Sequence, residues 1–315
     1  MYTIWTEKYR PEEFKEVVGQ KHVVKTISSF VRTKELPHLL FAGPAGSGKS
    51  TIALIIAKKL FGKRWRQNFL EMNASDTRGI DVIRGQVKNF ARTKSIADVP
   101  YKIIFLDEAD SLTKEAQNAL RRTMENYSEI CRFCLSCNYS SRIIEPIQSR
   151  CAVFRFKFIP ENEMKKRLNY IAKKEKIKVD SEALSAICEL SNGDMRKAIN
   201  LLQAASTYTR NIKKKTIYDV AAKAEPKEIK KMMEFALNGK FIKSRKILID
   251  LLTKQGISGE DIVKQISREI YNLKISEKRK IELIEKIGEF EFRLDQGGSE
   301  IIQLEALLAQ FALHK

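Results

Sequence analysis

At 315 residues, with 43% hydrophobic residues and only 14 Gly and 7 Pro, the chain is too long for one small module and too apolar for a disordered tail or a collagen-like repeat. Its 58 Lys and Arg against 39 Asp and Glu leave a formal charge of +19, of which residues 1–157 hold +11 and residues 225–315 only +2, so a polyanionic partner is expected on the first two-thirds. No apolar run reaches the roughly 20 residues that cross a bilayer, the start lacks a secretory signal, and five cysteines do not suit a secreted disulfide framework; the expectation is a cytoplasmic protein with no membrane contact.

Residues 39–42 read as a buried strand, followed by a Gly-rich turn and a helix over 49–60. A second strand is expected over 68–73, and a helix over 81–91 with Val82, Ile83, Val87 and Phe90 at turn spacing. The apolar run 101–106 predicts a third strand. A helix follows over 114–125, with Ala116, Ala119, Leu120 and Met124 on one face; residues 132–136 and 152–158 supply two more strands. This alternation predicts an α/β domain with a mainly parallel five-stranded sheet covered on both sides, over residues 1–159. Strand signals stop after Pro160. Helices over 161–174, 181–190 and 194–207 predict a small helical domain over 160–224, and five further helices predict a bundle over 225–315.

The run Gly43, Pro44, Ala45, Gly46, Ser47, Gly48, Lys49, Ser50 matches the phosphate-binding loop G-x-x-x-x-G-K-[ST], and it lies between a predicted strand and a predicted helix. Glycines let backbone N–H groups wrap a phosphate at a helix N-terminus. Lys49 supplies charge opposite the β- and γ-phosphates, and the Ser50 hydroxyl is a ligand for Mg²⁺. Asp107 and Glu108 follow a buried strand at its carboxyl end, where ligands bind in open α/β sheets. Asp107 is placed to hold the metal and Glu108 to orient and deprotonate a water. Cys131, Cys134 and Cys137 invite a metal reading, but in a strand Cys131 and Cys137 face one side and Cys134 the other. Buried thiols acting as small hydrophobes are expected instead.

With these residues in hand, the chain resembles the small subunits of replication factor C, sliding-clamp loaders of the AAA+ ATPase class, in their archaeal form. The resemblance rests on Trp5 to Pro11, Val17-Val18-Gly19-Gln20, Pro37 to Pro44, Asn73 to Asp81 and Phe105-Leu-Asp107-Glu108-Ala109-Asp110. It continues through Asn118 to Glu125, Leu135 to Tyr139, Ile144 to Cys151 and Gly193-Asp194-Met195-Arg196. The loop departs from the usual family pattern at Ala45 and in carrying serine at 47 and 50; serine keeps the required hydroxyl. The large subunit's extensions are not expected.

The resemblance implies ATP and Mg²⁺ as cofactors. ATP would be bound by Val17, Val18, the loop Gly43 to Thr51, Asn138 and Arg196, with Tyr9, Arg10, Pro11, Val17 and Val18 around the adenine. Asn138 and Arg196 would be the two sensors, and Arg150 an arginine finger reaching the neighbouring subunit's site. Arg150 also has a plain alternative, an ion pair within its own chain, for instance with Glu145. Arg78, Arg84 and Lys88 would meet DNA phosphates, with Arg84 and Lys88 four apart on one helix face, and Ile96 would touch the clamp. Implied partners are the large subunit, further copies of the chain (four small to one large), the sliding clamp and primer–template DNA; the place is an archaeal nucleoid. Other readings are a nucleotide-regulated scaffold that scarcely hydrolyses ATP, and a different AAA+ machine such as a Holliday-junction motor.

Overall fold

The computed structural model describes residues 4–76, 81, 83–95 and 99–313, and within these the chain divides into two compact units. The first comprises Met1–Lys176 with Ile187–Gln203, the second Ile177–Ala186 with Ala204–Lys315. Among the described residues no helix is long and apolar enough to cross a membrane.

The first unit is built on five strands: β1 (His38–Ala42), β2 (Phe69–Asn73), β3 (Lys102–Asp107), β4 (Cys131–Cys137) and β5 (Cys151–Arg155). They lie in the order β2-β3-β4-β1-β5, and every pairing is parallel. Nearly continuous apolar runs such as Ile103-Ile104-Phe105-Leu106 make such strands, because both faces of the sheet are covered. Side chains alternate as the period of two requires. Leu40, Ile104, Phe133 and Leu135 pack with Ala116, Leu120 and Met124 of the helix Lys114–Asn126. On the other face, Leu39, Phe41, Ile103 and Phe105 meet Val23 and Ile27 of the helix Lys21–Thr33 and Ile52 and Ile56 of the helix Lys49–Phe61. Each such side chain contributes about 1.5–3 kcal/mol on burial. The longer helices of this region, in chain order, are α1 (Lys21–Thr33), α2 (Lys49–Phe61) and α3 (Lys114–Asn126), followed by α4 (Glu161–Lys174).

The cysteines divide as the strand period predicts. Cys131 and Cys137 lie in the core that includes α3, and Cys134 in the core on the other face. Burial pushes the Cys131 and Cys137 thiols up to about 12 and raises that of Cys134 as well.

Three expectations are corrected. Residues 81–91 are not one α-helix: Ile83–Val87 is a π-helical turn leading into a short helix, Lys88–Ala91. Gly85, a poor helix former, lies inside the turn, so the fourfold spacing of Arg84 and Lys88 is not an α-helical one. Strands also do not stop at Pro160, because β6 (Lys178–Val179) and β7 (Asn211–Ile212) pair in parallel. At two residues each they are too short to leave a periodic signal. Finally, Arg150 pairs within its chain with Glu125, not with Glu145.

Beyond α4 come α5 (Ser181–Ser191), α6 (Met195–Tyr208) and α7 (Lys214–Ala221), the last absent from the sequence reading. The second unit then carries five longer helices: α8 (Pro226–Leu237), α9 (Phe241–Thr253), α10 (Gly259–Glu269), α11 (Glu277–Asp295) and α12 (Glu300–Leu313). Ser258 and Ser276 cap α10 and α11 by accepting from Asp261 N and Arg279 N. Met232, Leu248, Ile262, Leu283 and Leu307 form part of one apolar core. Ile242, Ile281, Phe292 and Ile302 remain largely exposed on this unit.

Candidate functional site

A parallel sheet delivers all its strand ends to one edge. The loop after β1, Asp107 at the end of β3 with Glu108 just beyond it, and Asn138 after β4 therefore meet there. One cavity of the first unit is lined by Ala45 to Thr51 of the loop, by Asp107, Glu108 and Asn138, and by Arg196 of α6. Tyr9, Arg10, Pro11, Val17 and Val18 line it as well, so most residues singled out in the sequence converge on one space. Gly43 and Pro44 stand at the base of the loop.

Close approach explains two of the glycines. Gly43 passes against the backbone of Phe156, just beyond β5, and Gly46, at φ +64°, passes against the Asp194 carboxylate; a Cβ would collide at either place. Asp194 caps α6 by accepting from Lys197 N (3.0 Å), and Met195 N donates to Gly46 O (3.3 Å), so the start of α6 rests directly on the loop.

Lys49 is buried. Its Nζ donates to Gly43 O (2.6 Å), Pro44 O (2.9 Å) and Asn138 Oδ1 (3.2 Å). Burial draws its pKa below the usual lysine range, an effect that the Asp107 carboxylate opposes. Asp107 Oδ1 accepts from the Ser136 hydroxyl and from Glu108 N (3.1 Å). Glu108 itself takes φ +53°, a left-handed conformation uncommon for a residue with a side chain. Asp110 Oδ2 accepts from both Asn138 N (3.2 Å) and Tyr139 N (3.1 Å), fixing the turn that carries Asn138.

The N-terminal segment is tied to helices α4 and α6. Trp5 N donates to Gln203 Oε1 (2.8 Å), Lys8 and Tyr9 both reach Glu175 Oε1 (2.6 Å), and Arg167 donates to Tyr9 O (2.6 Å). Arg10 Nη2 lies 3.5 Å from Ser50 Oγ, which puts its guanidinium beside the expected metal ligand as well as in the cavity.

Arg150 stands elsewhere. It precedes Cys151, which pairs with His38 at the amino end of β1, whereas the phosphate loop follows Ala42 at the carboxyl end. Its Nη2 meets Glu125 Oε1 at 2.7 Å and its Nη1 donates to Pro146 O at 2.7 Å, with a half-exposed side chain. Lys88 is exposed; Arg78 and Ile96 lie outside the described residues, and Arg84 is described in its backbone alone.

Sequence reasoning missed Ser136 and Arg167. Ser136 is a fully buried hydroxyl in the apolar run Phe133-Cys134-Leu135-Ser136-Cys137, one residue beyond the Leu106–Leu135 pair and thus level with Asp107. That polar interruption was a readable signal. Arg167 is one of many basic residues on α4, and nothing local distinguishes it.

Residues 39–158 match the ATPase family associated with various cellular activities (AAA), residues 166–207 an AAA+ ATPase lid domain described as RCF1/5-like, and residues 224–310 the replication factor C C-terminal domain. The replication factor C small subunit of Methanococcus vannielii is 57% identical over 98% of both chains. That of Archaeoglobus fulgidus is 54% identical over 98% of this chain and 97% of its own. The chain belongs to the replication factor C small subunits. It is thus an AAA+ ATPase of the clamp-loader family, with the α/β core, helical lid and C-terminal helical domain of that family. Among solved structures, a RuvB variant from Thermotoga maritima superposes with a TM-score of 0.57 over 94% of this chain and 88% of that one, at 19% identity. A Thermotoga maritima RuvB described as a Holliday junction branch migration motor gives 0.57 at 18% over 82% of this chain and 91% of that one. At such identity the likeness is one of fold.

Proposed function

We propose that the chain binds MgATP in the cavity around Lys49 and hydrolyses it to drive the loading of a ring-shaped sliding clamp onto primed DNA. The observation that carries this reading is the convergence of Lys49, Ser50, Asp107, Glu108, Asn138 and Arg196 on one space beside Tyr9 to Pro11 and Val17-Val18. The residues fit a phosphate-bound divalent cation: the Ser50 hydroxyl and the Asp107 carboxylate, both oxygen donors suited to Mg²⁺, line the same cavity. Ser50 and Asp107 would hold Mg²⁺, which supplies neutralisation of charge on the phosphate oxygens.

Each residue then has a defined task. Lys49 exchanges its bonds to Gly43 O, Pro44 O and Asn138 Oδ1 for phosphate oxygens. Glu108 accepts a proton from the attacking water, and Asn138, held by Asp110, orients that water. Arg196 carries the position of α6 to the nucleotide. Arg150 serves the site of a neighbouring copy. What supports this is its place at the amino edge of the sheet, opposite its own chain's loop. Its guanidinium is always charged and meets the negative charge on the transferring phosphoryl group.

The same reading assigns residues 1–159 to the nucleotide-binding core, 160–224 to the lid and 225–315 to a collar. The exposed Ile242, Ile281, Phe292 and Ile302 suit contacts among copies, four small subunits with one large. Hydrolysis would be stimulated by DNA and clamp in the cytoplasm, at the nucleoid; Arg78, Arg84 and Lys88 would meet DNA phosphates, and Ile96 the clamp. The test separates binding from turnover. Lys49→Ala should lose ATP affinity in equilibrium titration, while Glu108→Gln keeps it and loses steady-state hydrolysis. Equal loss of affinity in both variants refutes these roles.

A further inference from the structure

Arg150 is held from two directions. Its Nη1 donates to Pro146 O in the short helix Glu145–Gln148, and its Nη2 meets Glu125 near the end of α3. The same Glu125 Oε1 also accepts from Arg121 Nη1 at 3.2 Å, one turn back on the helix. The carboxylate is thus fixed by its own helix and in turn fixes the arginine. Both supports are anchored: Thr113 caps α3, and Gln117 of α3 donates to Arg142 O (3.0 Å) and accepts from Ile144 N (2.9 Å).

An exposed ion pair of this kind contributes about 0–1 kcal/mol to folding. Orientation is the larger effect. A free arginine side chain loses about 2 kcal/mol of rotamer entropy on being fixed, and one fixed beforehand does not lose it in the transition state. We propose that Glu125 is a positioning residue that presents Arg150 to the nucleotide of a neighbouring copy, an inference that rests on the reading of Arg150 given above.

The test uses full-length chains assembled with the large subunit, clamp and primed DNA. Glu125→Gln keeps the shape and removes the charge. It should leave ATP affinity within about twofold and reduce hydrolysis at least about tenfold, as misplacement of a reacting group does. Mixtures locate the effect. Glu125→Gln combined with Glu108→Gln should regain activity, because a Glu108→Gln chain presents an intact Arg150 to an intact Glu108. Glu125→Gln combined with Arg150→Ala should not, because neither chain presents a held arginine. The reverse pattern would put Glu125 to work in its own chain's site and overturn the proposal, as would unchanged or faster hydrolysis by Glu125→Gln alone. If the glutamine variant fails to assemble, Glu125→Ala is scored by the same two mixtures. A separate mixture, Arg150→Ala with Glu108→Gln, tests the underlying role: no recovery there sinks the arginine itself, whatever Glu125 does.

Discussion

Replacing Gly46 by alanine should weaken the first unit through the start of α6, not through the phosphate loop alone. At φ +64° alanine costs about 1–2 kcal/mol, partly offset by about 0.4–1 kcal/mol from a stiffer unfolded chain. The new methyl group also lands on the Asp194 carboxylate, which must leave its place as cap of α6. Loss of that cap costs about 1 kcal/mol, and loss of the bond from Met195 N to Gly46 O about another. The expected total for Gly46→Ala is about 2–3 kcal/mol. In an Asp194→Ala background the obstructing atoms are gone, so the same substitution should cost only about 1 kcal/mol. The chain has two tryptophans, Trp5 and Trp65, and both belong to this unit, so intrinsic fluorescence in urea follows it specifically. Additivity of the two substitutions within about 0.5 kcal/mol would refute the collision and leave backbone conformation as the whole cost.

His38 supplies a pH dependence. Its Nδ1 accepts from Phe133 N (3.1 Å), and burial, reinforced by Arg132, lowers its pKa to about 4. The folded pKa lies below the unfolded value near 6.5, so the unfolded chain binds the proton first. The stability concerned is fully present above pH 6.5 and is lost as the pH falls toward 4, on the order of 3 kcal/mol in all. His38→Gln should flatten that part of the curve in the same fluorescence assay; an unchanged slope would mean the imidazole does not titrate this way. For DNA, replacing Arg84 and Lys88 together should lower both the affinity of the assembled loader and the slope of log K against log salt, since each phosphate contact releases counterions. An unaltered slope would place the DNA path elsewhere.

What the sequence made legible follows from how the signals arise. The central strands β1, β3 and β4 are buried apolar runs and were readable as such; the half-exposed edge strands β2 and β5 were still placed to within a few residues, and the period of two correctly parted Cys134 from Cys131 and Cys137. The phosphate loop and the Asp107-Glu108 pair were readable because both lie at the carboxyl ends of strands, and a parallel sheet brings such positions to one edge. Helix α1 was missed although Val23, Val24, Ile27, Phe30 and Val31 stand at helical spacing against a polar face, a signal that was readable. Contacts between distant segments left no local trace. Glu175 beneath Tyr9, Gln203 capping Trp5 N and Asp194 against Gly46 each depend on which helix the fold returns to the loop. The same holds for Arg150, whose partner is 25 positions away at Glu125, not five away at Glu145.

The two edges of the sheet bear on how such a chain can be regulated. Its carboxyl edge gathers the loop, the acidic pair and Asn138, so a single folded chain brings together the parts proposed above to bind a phosphate and activate water. Arg150 is fixed at the amino edge, one full strand length away: five residues of β1 at about 3.3 Å each put it roughly 16 Å from the loop. An arginine side chain does not span that distance, and Glu125 and Pro146 hold its guanidinium in place. If Arg150 acts on a nucleotide at all, it acts on one bound by another copy. Turnover then depends on a correctly packed interface, which is the dependence an ATPase needs when hydrolysis has to wait for assembly.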